Sequence, residues 1–454
     1  MTGSDNSYTR DSIPATFVTT ALPIVFLVSA NGLLTVVDGI FLGAFVGPDA
    51  LNAVTIAFPI SMFVIALSSI VSIGMASVLG RLLGANRLDD ARRIFAGAHG
   101  LSLCICFAFV VLFAGFGWTF MERWASSPAL ARMAYAFLTI AIVTSPLQFL
   151  LSVHADALRT EGRIRFIASI GLCLTLANMA LNALLIIWFG LGISGSAWGT
   201  AAAQAVALIL IFQYRVRGKA RLTLTLRDAA NWRFGWREML ALGAPRSLGF
   251  IGIALGAAAI ILSLRRFGGP NADESIVAFG IINRLMAFAY FPLLGISLAM
   301  QAIISNNFGA KLWARTNATL KLVLIVTFSY ACLVEIAFML FRHQLAGLFV
   351  ADPGVIAEIG SILPIFVALY LIFGPMMMIG NYFQSIGNAR ISALLSLSRT
   401  YLFAIPLTLL LPFAAGQIGI WLAIPLADAF QLAVIVAVLK ARSPQAKWGL
   451  FPYA

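Results

Sequence analysis

The chain alternates long apolar runs with short polar loops. Residues 15–37 and 50–79 contain no charged side chain at all. Each run exceeds the roughly 20 apolar residues that a helix needs to cross a bilayer. In hydrocarbon a helix satisfies its own backbone hydrogen bonds, so runs of this length predict spanning helices rather than strands. The pattern predicts twelve, near residues 14–46, 50–79, 94–119, 129–155, 166–189, 193–213, 238–264, 275–304, 320–341, 354–384, 391–413 and 417–439.

The polar loop at 214–237 divides the chain almost in the middle and predicts two bundles of six helices, 1–213 and 238–454. An internal repeat supports this division. At an offset of 225 residues Gly84-Ala85 meets Gly309-Ala310, Gly162 meets Gly387, Arg165 meets Arg390 and Ala53 meets Ala278. The stretch 156–165 aligns on 381–390 without a gap. Six spans per half preserve direction, so the halves are expected to be parallel repeats about an axis along the membrane normal. A central cleft between two bundles that rock would then give alternating access. The fold class is therefore an all-α polytopic membrane protein.

Composition agrees. Of 454 residues, 61% are hydrophobic and 10% charged, against about 25% charged in soluble domains. The mean hydropathy is +0.97. A net charge of +13 could indicate nucleic acid, but the basic residues sit in loops between spans. With both termini placed in the cytoplasm, 23 of the 30 fall on that side, Arg399 counted among them, and five on the other. This asymmetry sets orientation, with both termini in the cytoplasm, and the basic loops are not expected to bind nucleic acid; the expected setting is a plasma (inner) membrane, with small molecules and lipid as partners. A monomer is expected. The polar, acidic start of the chain, 1–11, does not resemble a signal peptide.

Asp38 is the only carboxylate inside the apolar spans of the first half. An acid at membrane depth is costly unless it faces a polar cavity, which makes it a functional candidate. Asn31 lies two helical turns before it on the same face, and Thr35 lies three residues before it. The fifth span supplies Asn178 and Asn182, one turn apart, and the sixth supplies Thr200. Together they offer oxygen ligands and one negative charge, suited to a hard monovalent cation or a proton. The plainer alternative is that these groups hydrogen-bond helices to one another.

Five fragments, in order, resemble the multidrug and toxic compound extrusion (MATE) family. They are VVDGIFLG (36–43) with ALNAVTIAFPI (50–60), GRLLGANRLDDAR (80–92), the run 278–310 with its NRLMAFAYFPLLGIS core, and GIWLAIPLADAF (419–430). The resemblance covers nearly the whole chain. It implies export driven by proton or sodium entry, through an outward V-shaped pair of bundles. In the branch most resembled, cation binding uses the first-span Asp, an Asn-x-x-x-Asp pair in the fifth span and a Thr in the sixth. Asp38, Asn178 and Thr200 match, whereas Asn182 stands where the pattern has Asp. The missing charge weakens sodium binding and favours protons. Another branch uses a particular pair of carboxylates in the seventh and tenth spans, and that pattern is not expected here.

In the second half Arg284, Glu335 and Asp428 lie inside spans. Counted from the outer ends, Arg284 and Asp428 reach similar depth, so Arg284 is expected to pair with one of the acids, either structurally or at a second site. Tyr290 and the methionines Met376 and Met377 could line a substrate cleft with an adaptable surface for apolar cations. Pro23, Pro59 and Pro146 could kink their helices.

Four cysteines lie in apolar segments with no chelating or disulfide pattern. The three histidines, His99, His154 and His343, are scattered near span ends. No catalytic constellation or metal site is expected, and no cofactor beyond the coupling ion. An intramembrane enzyme is thereby disfavoured. A lipid-linked saccharide flippase of the same superfamily is the alternative. It would need several cationic residues in the cleft, where Arg284 is the chief candidate.

Overall fold

A computed structural model describes residues 7–125, 127–223, 226–269 and 272–442, apart from the side chains of 31, 33–44, 48, 51, 226, 227, 229 and 442. The first half contains α1 (Ile13–Phe45), α2 (Pro48–Gly84), α3 (Leu88–Trp124), α4 (Pro128–Val143), α5 (Ser145–Thr160), α6 (Ile164–Ala183) and α7 (Gly192–Val216). The second contains α8 (Trp236–Phe267), α9 (Ala272–Gly309), α10 (Trp313–Leu340), α11 (Pro353–Phe366), α12 (Tyr370–Ser385), α13 (Ala389–Leu397) and α14 (Gln417–Arg442). No strand occurs among the described residues. Ten helical runs are long and apolar enough to cross a membrane. Two bent pairs, α4 with α5 (45°) and α11 with α12 (51°), bring the number to twelve. The protein is a multi-pass membrane protein.

Its outer faces are apolar. Trp188 is 85% exposed and Phe107 72%, an arrangement suited to lipid and not to water.

The repeat recurs in the backbone. Leu88 and Trp313, Ile164 and Ala389, Gly192 and Gln417 each start a helix 225 positions apart. Pro128 and Pro353, and likewise Ser145 and Tyr370, open the two arms of each bent pair at the same offset. The helix ends match as well. Arg87 N–H donates to the Leu82 carbonyl (2.9 Å) and Leu312 N–H to that of Asn307 (2.9 Å). Each such six-residue loop closes through one left-handed residue, Asn86 (φ 58°) and Lys311 (φ 59°), as a Schellman ending requires. Gly162 (φ 83°) and Gly387 (φ 88°) do the same one span pair later, where glycine carries no steric penalty.

The helix breaks have different local causes. Pro146 lies in the first turn of α5, where it offers no N–H and would clash with the carbonyl four residues back. At the second bend, Glu335 of α10 accepts the Leu371 N–H at 2.7 Å, which satisfies an amide left without a partner at the start of α12. Both halves also widen to a π-helix, at Leu184–Trp188 after α6 and at Ser398–Ala404 after α13.

Contacts divide the described residues into two compact units: Leu22–Ser247 with Ser7–Arg10, and Asp11–Ala21 with the described residues from Leu248 to Arg442. This corrects the expected boundaries at both ends. The start of α8 packs so closely on α2 that Gly74, against Met239, and Gly243, against Ile70, leave no room for a Cβ, which holds 238–247 in the first unit. Conversely, Arg315 donates to the Asp11 carbonyl (2.6 Å) and so ties the stretch that begins at Asp11 to the second.

Candidate functional site

In the first unit, α6 and α7 bring three of the expected residues into one chain of hydrogen bonds. Asn182 donates through Nδ2 to Asn178 Oδ1 (3.2 Å), Asn178 Nδ2 donates to Thr200 Oγ1 (2.9 Å), and the Thr200 hydroxyl donates to the Ser196 carbonyl (3.0 Å). The one-turn spacing of the asparagines places both on one face of α6, and both are buried. Gly199 presses against the Asn182 side chain, where a Cβ would collide. The group presents amide and hydroxyl oxygens next to the π-helical widening, a feature that is frequent at functional sites. Asp38, Asn31 and Thr35 lie on α1, but their side chains are outside the described residues.

The second unit holds a cavity of about 290 Å³. It lies between α8, α9, the α11–α12 bend, the π-helix after α13, and α14. Its wall includes Tyr290, Tyr370, Phe373, Arg399 and Asp428. Tyr370 and Phe373 are stacked, with centroids 5.5 Å apart and planes at 19°. The Arg399 guanidinium lies 4.7 Å from the Phe373 ring centroid. Its Nε and Nη2 donate to the two Asp428 carboxylate oxygens at 2.5 and 3.2 Å.

Asp428 therefore pairs with Arg399, not with Arg284. No ion pair among the described residues includes Arg284, which is exposed on α9. Glu335 spends a carboxylate oxygen on the bend between α11 and α12 instead. Equal depth does not select a partner, because rotation about the helix axis decides which neighbour a side chain faces. Arg399, counted with the cytoplasmic loops, sits within the apolar run Ala389–Ala415. An arginine inside an apolar run is the signal that could have exposed it. Of the expected cleft residues, Tyr290 lines this cavity. Met376 is buried and Met377 half-buried, the latter packed on the apolar core, and neither reaches the cavity wall.

The histidines are not all scattered. His99 Nε2 lies 3.1 Å from His154 Nε2, and His99 Nδ1 lies 2.7 Å from the Phe95 carbonyl. Arg215 donates from Nε to His154 Nδ1 (3.1 Å) and from Nη1 to Glu161 (3.0 Å). Because Arg215 can only donate, His154 must accept on Nδ1 and carry its proton on Nε2. His99 then accepts on Nε2 and donates to Phe95. Fifty-five residues of sequence separate the two rings, and helix packing closes that gap. This buried chain ties α3, α5 and α7 to Arg221, whose N–H donates to Glu161 (2.7 Å).

The MatE family profile matches residues 23–184 and 246–410, one stretch in each half. The chain belongs to the MatE family. Among MatE-like relatives, a protein of Shewanella oneidensis named FAD transporter is 25% identical over 391 residues, covering 84% of each chain. Multidrug and toxin extrusion protein 2 of Mus musculus is 26% identical over 427 residues, covering 92% of this chain and 72% of its own. The fold matches an outward-facing multidrug resistance MATE family transporter of the MOP superfamily with a TM-score of 0.86 and 21% identity. That match covers 94% of this chain and 95% of the other.

Proposed function

We propose that this MatE protein is a secondary active exporter that antiports small organic compounds against a coupling ion by an alternating-access cycle. The observation that carries the reading is the Asn182–Asn178–Thr200 chain, three oxygen-bearing side chains joined by α6 and α7 in the unit that also contains Asp38. The family pattern gives those positions to cation binding. With Asn182 in place of a carboxylate, the set carries one formal negative charge, so we assign the coupling ion as a proton, with sodium weak. Relatives named for FAD and for multidrug export support small organic cargo. The protein works as a monomer in the plasma membrane with both termini in the cytoplasm, and no residue is assigned a catalytic role. A saccharide flippase would need several free cations, and the cavity of the second unit holds one arginine, already paired.

The test is transport by the purified protein in proteoliposomes under an imposed proton or sodium gradient. A proton gradient alone is expected to drive export, and Asp38→Asn is expected to abolish it. Equal efflux by wild type and Asp38→Asn would overturn the reading.

A further inference from the structure

We infer that the cavity of the second unit is selective for planar aromatic molecules that carry hydrogen-bond acceptors along one edge and no net positive charge. This deepens the exporter reading by naming the class of cargo. It departs from the expectation of organic cations that the methionines and aromatics suggested.

The shape comes first. At about 290 Å³ the cavity is at the small end of ligand pockets, which run from about 300 to 1,000 Å³. Tyr290, Tyr370 and Phe373 make the wall aromatic, and a flat ring laid against an aromatic face gains stacking contact.

Charge decides between classes of aromatic ligand. An aromatic wall ordinarily attracts cations through the ring quadrupole. Here that attraction is already used, because the Arg399 guanidinium lies over Phe373. The ion pair is also lopsided. The Arg399 side chain is 26% exposed and that of Asp428 only 5%. Both carboxylate oxygens are engaged by Nε and Nη2, so a ligand meets the guanidinium rather than the acid. Nη1 makes no hydrogen bond to the described residues and offers two donors. A cation would be repelled there, and a carbonyl, phenolate or carboxylate oxygen would be received.

The second polar group is the Tyr370 hydroxyl. Tyr370 is 6% exposed, lines the cavity, and its hydroxyl oxygen is buried without a hydrogen-bond partner. A buried hydroxyl left unpaired is a cost that native proteins rarely carry without reason, and a ligand acceptor would relieve it. Its place is fixed by the bend. Tyr370 is the first residue of α12, and Glu335 holds the next amide. Arg399 is set by the π-helix, whose extra residue per turn rotates its side chain relative to an unbroken α-helix. Two backbone irregularities thus converge on the two groups that would recognise the acceptor edge, and Glu335 acts as a positioning residue.

The test is equilibrium binding to the full-length protein in detergent. One probe is riboflavin, an uncharged tricyclic with two carbonyls on one edge. The other is ethidium, a planar cation of comparable ring size. Riboflavin is expected to bind at least tenfold more tightly than ethidium. Tyr370→Phe keeps the stack and removes the hydroxyl, and is expected to weaken riboflavin about tenfold while leaving ethidium unchanged. Arg399→Leu with Asp428→Leu removes both charges together, so neither is left buried alone. That double variant is expected to reverse the preference in favour of ethidium. Tighter binding of ethidium to the wild type, or riboflavin affinity unchanged by Tyr370→Phe and by the double variant, would overturn the proposal. Flux of both probes measured on the same preparations keeps the two readings apart. Selective riboflavin binding without any export contradicts the exporter reading and leaves this one standing, whereas ethidium export with no riboflavin binding overturns this one.

Discussion

The two units share a backbone plan and diverge in chemistry at matched positions. Asn178, Asn182 and Thr200 of the first correspond, 225 residues on, to Phe403, Leu407 and Pro425 of the second. In the other direction, Tyr370, Arg399 and Asp428 correspond to Ser145, Leu174 and Ala203. What the halves retain is punctuation: left-handed residues at loop ends, a bend in the fourth span, and a π-helix in the fifth. Such breaks free backbone groups and re-aim side chains, and they need neighbours to satisfy them. They are therefore a scaffold on which each half could place different groups, amides on one side and an ion pair among aromatics on the other.

If this division holds, disturbing the polar residues of one unit should change one property only. The largest effect is expected from Asp38→Asn, which should bring gradient-driven efflux to the background of empty liposomes while the protein still inserts and purifies as a folded monomer. Efflux rates with each imposed gradient check this. The next is Arg399→Leu alone. It leaves Asp428 buried without its partner, a change that costs about 3–5 kcal/mol, whereas adding Asp428→Leu should restore most of the lost thermal stability. Midpoints of thermal unfolding in detergent, compared for the single and double variants, read this out.

A smaller effect is expected at Gly199. A Cβ there collides with the Asn182 side chain, so Gly199→Ala should cost about 1–3 kcal/mol by overpacking and reduce ion-coupled efflux. The matched position in the second unit is already Ile424, and Ile424→Ala is expected to leave ion preference untouched. The smallest effect is expected from Glu335→Gln. The glutamine carbonyl can still accept from Leu371 N–H, so stability should fall by no more than about 1 kcal/mol, with riboflavin affinity within twofold of wild type.

Much of the architecture was legible in the sequence because its signals are local or periodic. Apolar runs fix spans through bilayer thickness, and the offset of 225 residues showed in short loop fragments before it showed in helix ends. The pairing of Asn178 with Asn182 followed from one helical turn. Contacts between helices were less legible. Depth pairs Asp428 with Arg284, but depth without rotation does not select a partner, and the true partner, Arg399, is set by a π-helix that the sequence pattern does not reveal. The histidine chain is illegible for a related reason: His99 and His154 each look isolated on their own helix. The unit boundaries shifted because glycines on α2 and α8 let two backbones touch, a property of the packed pair that neither stretch shows alone.

On this reading the first unit sets the ion and the second sets the cargo. The most direct test is riboflavin efflux from proteoliposomes under separate proton and sodium gradients, paired with the riboflavin Kd in sodium-free detergent, for Asn182→Asp and Tyr370→Phe. Asn182→Asp is expected to gain sodium-driven efflux at an unchanged Kd, and Tyr370→Phe to raise the Kd about tenfold with its preference for protons unchanged. Asn182→Asp efflux no more sodium-driven than that of the wild type, or a Tyr370→Phe variant that changes ion preference, would contradict this reading.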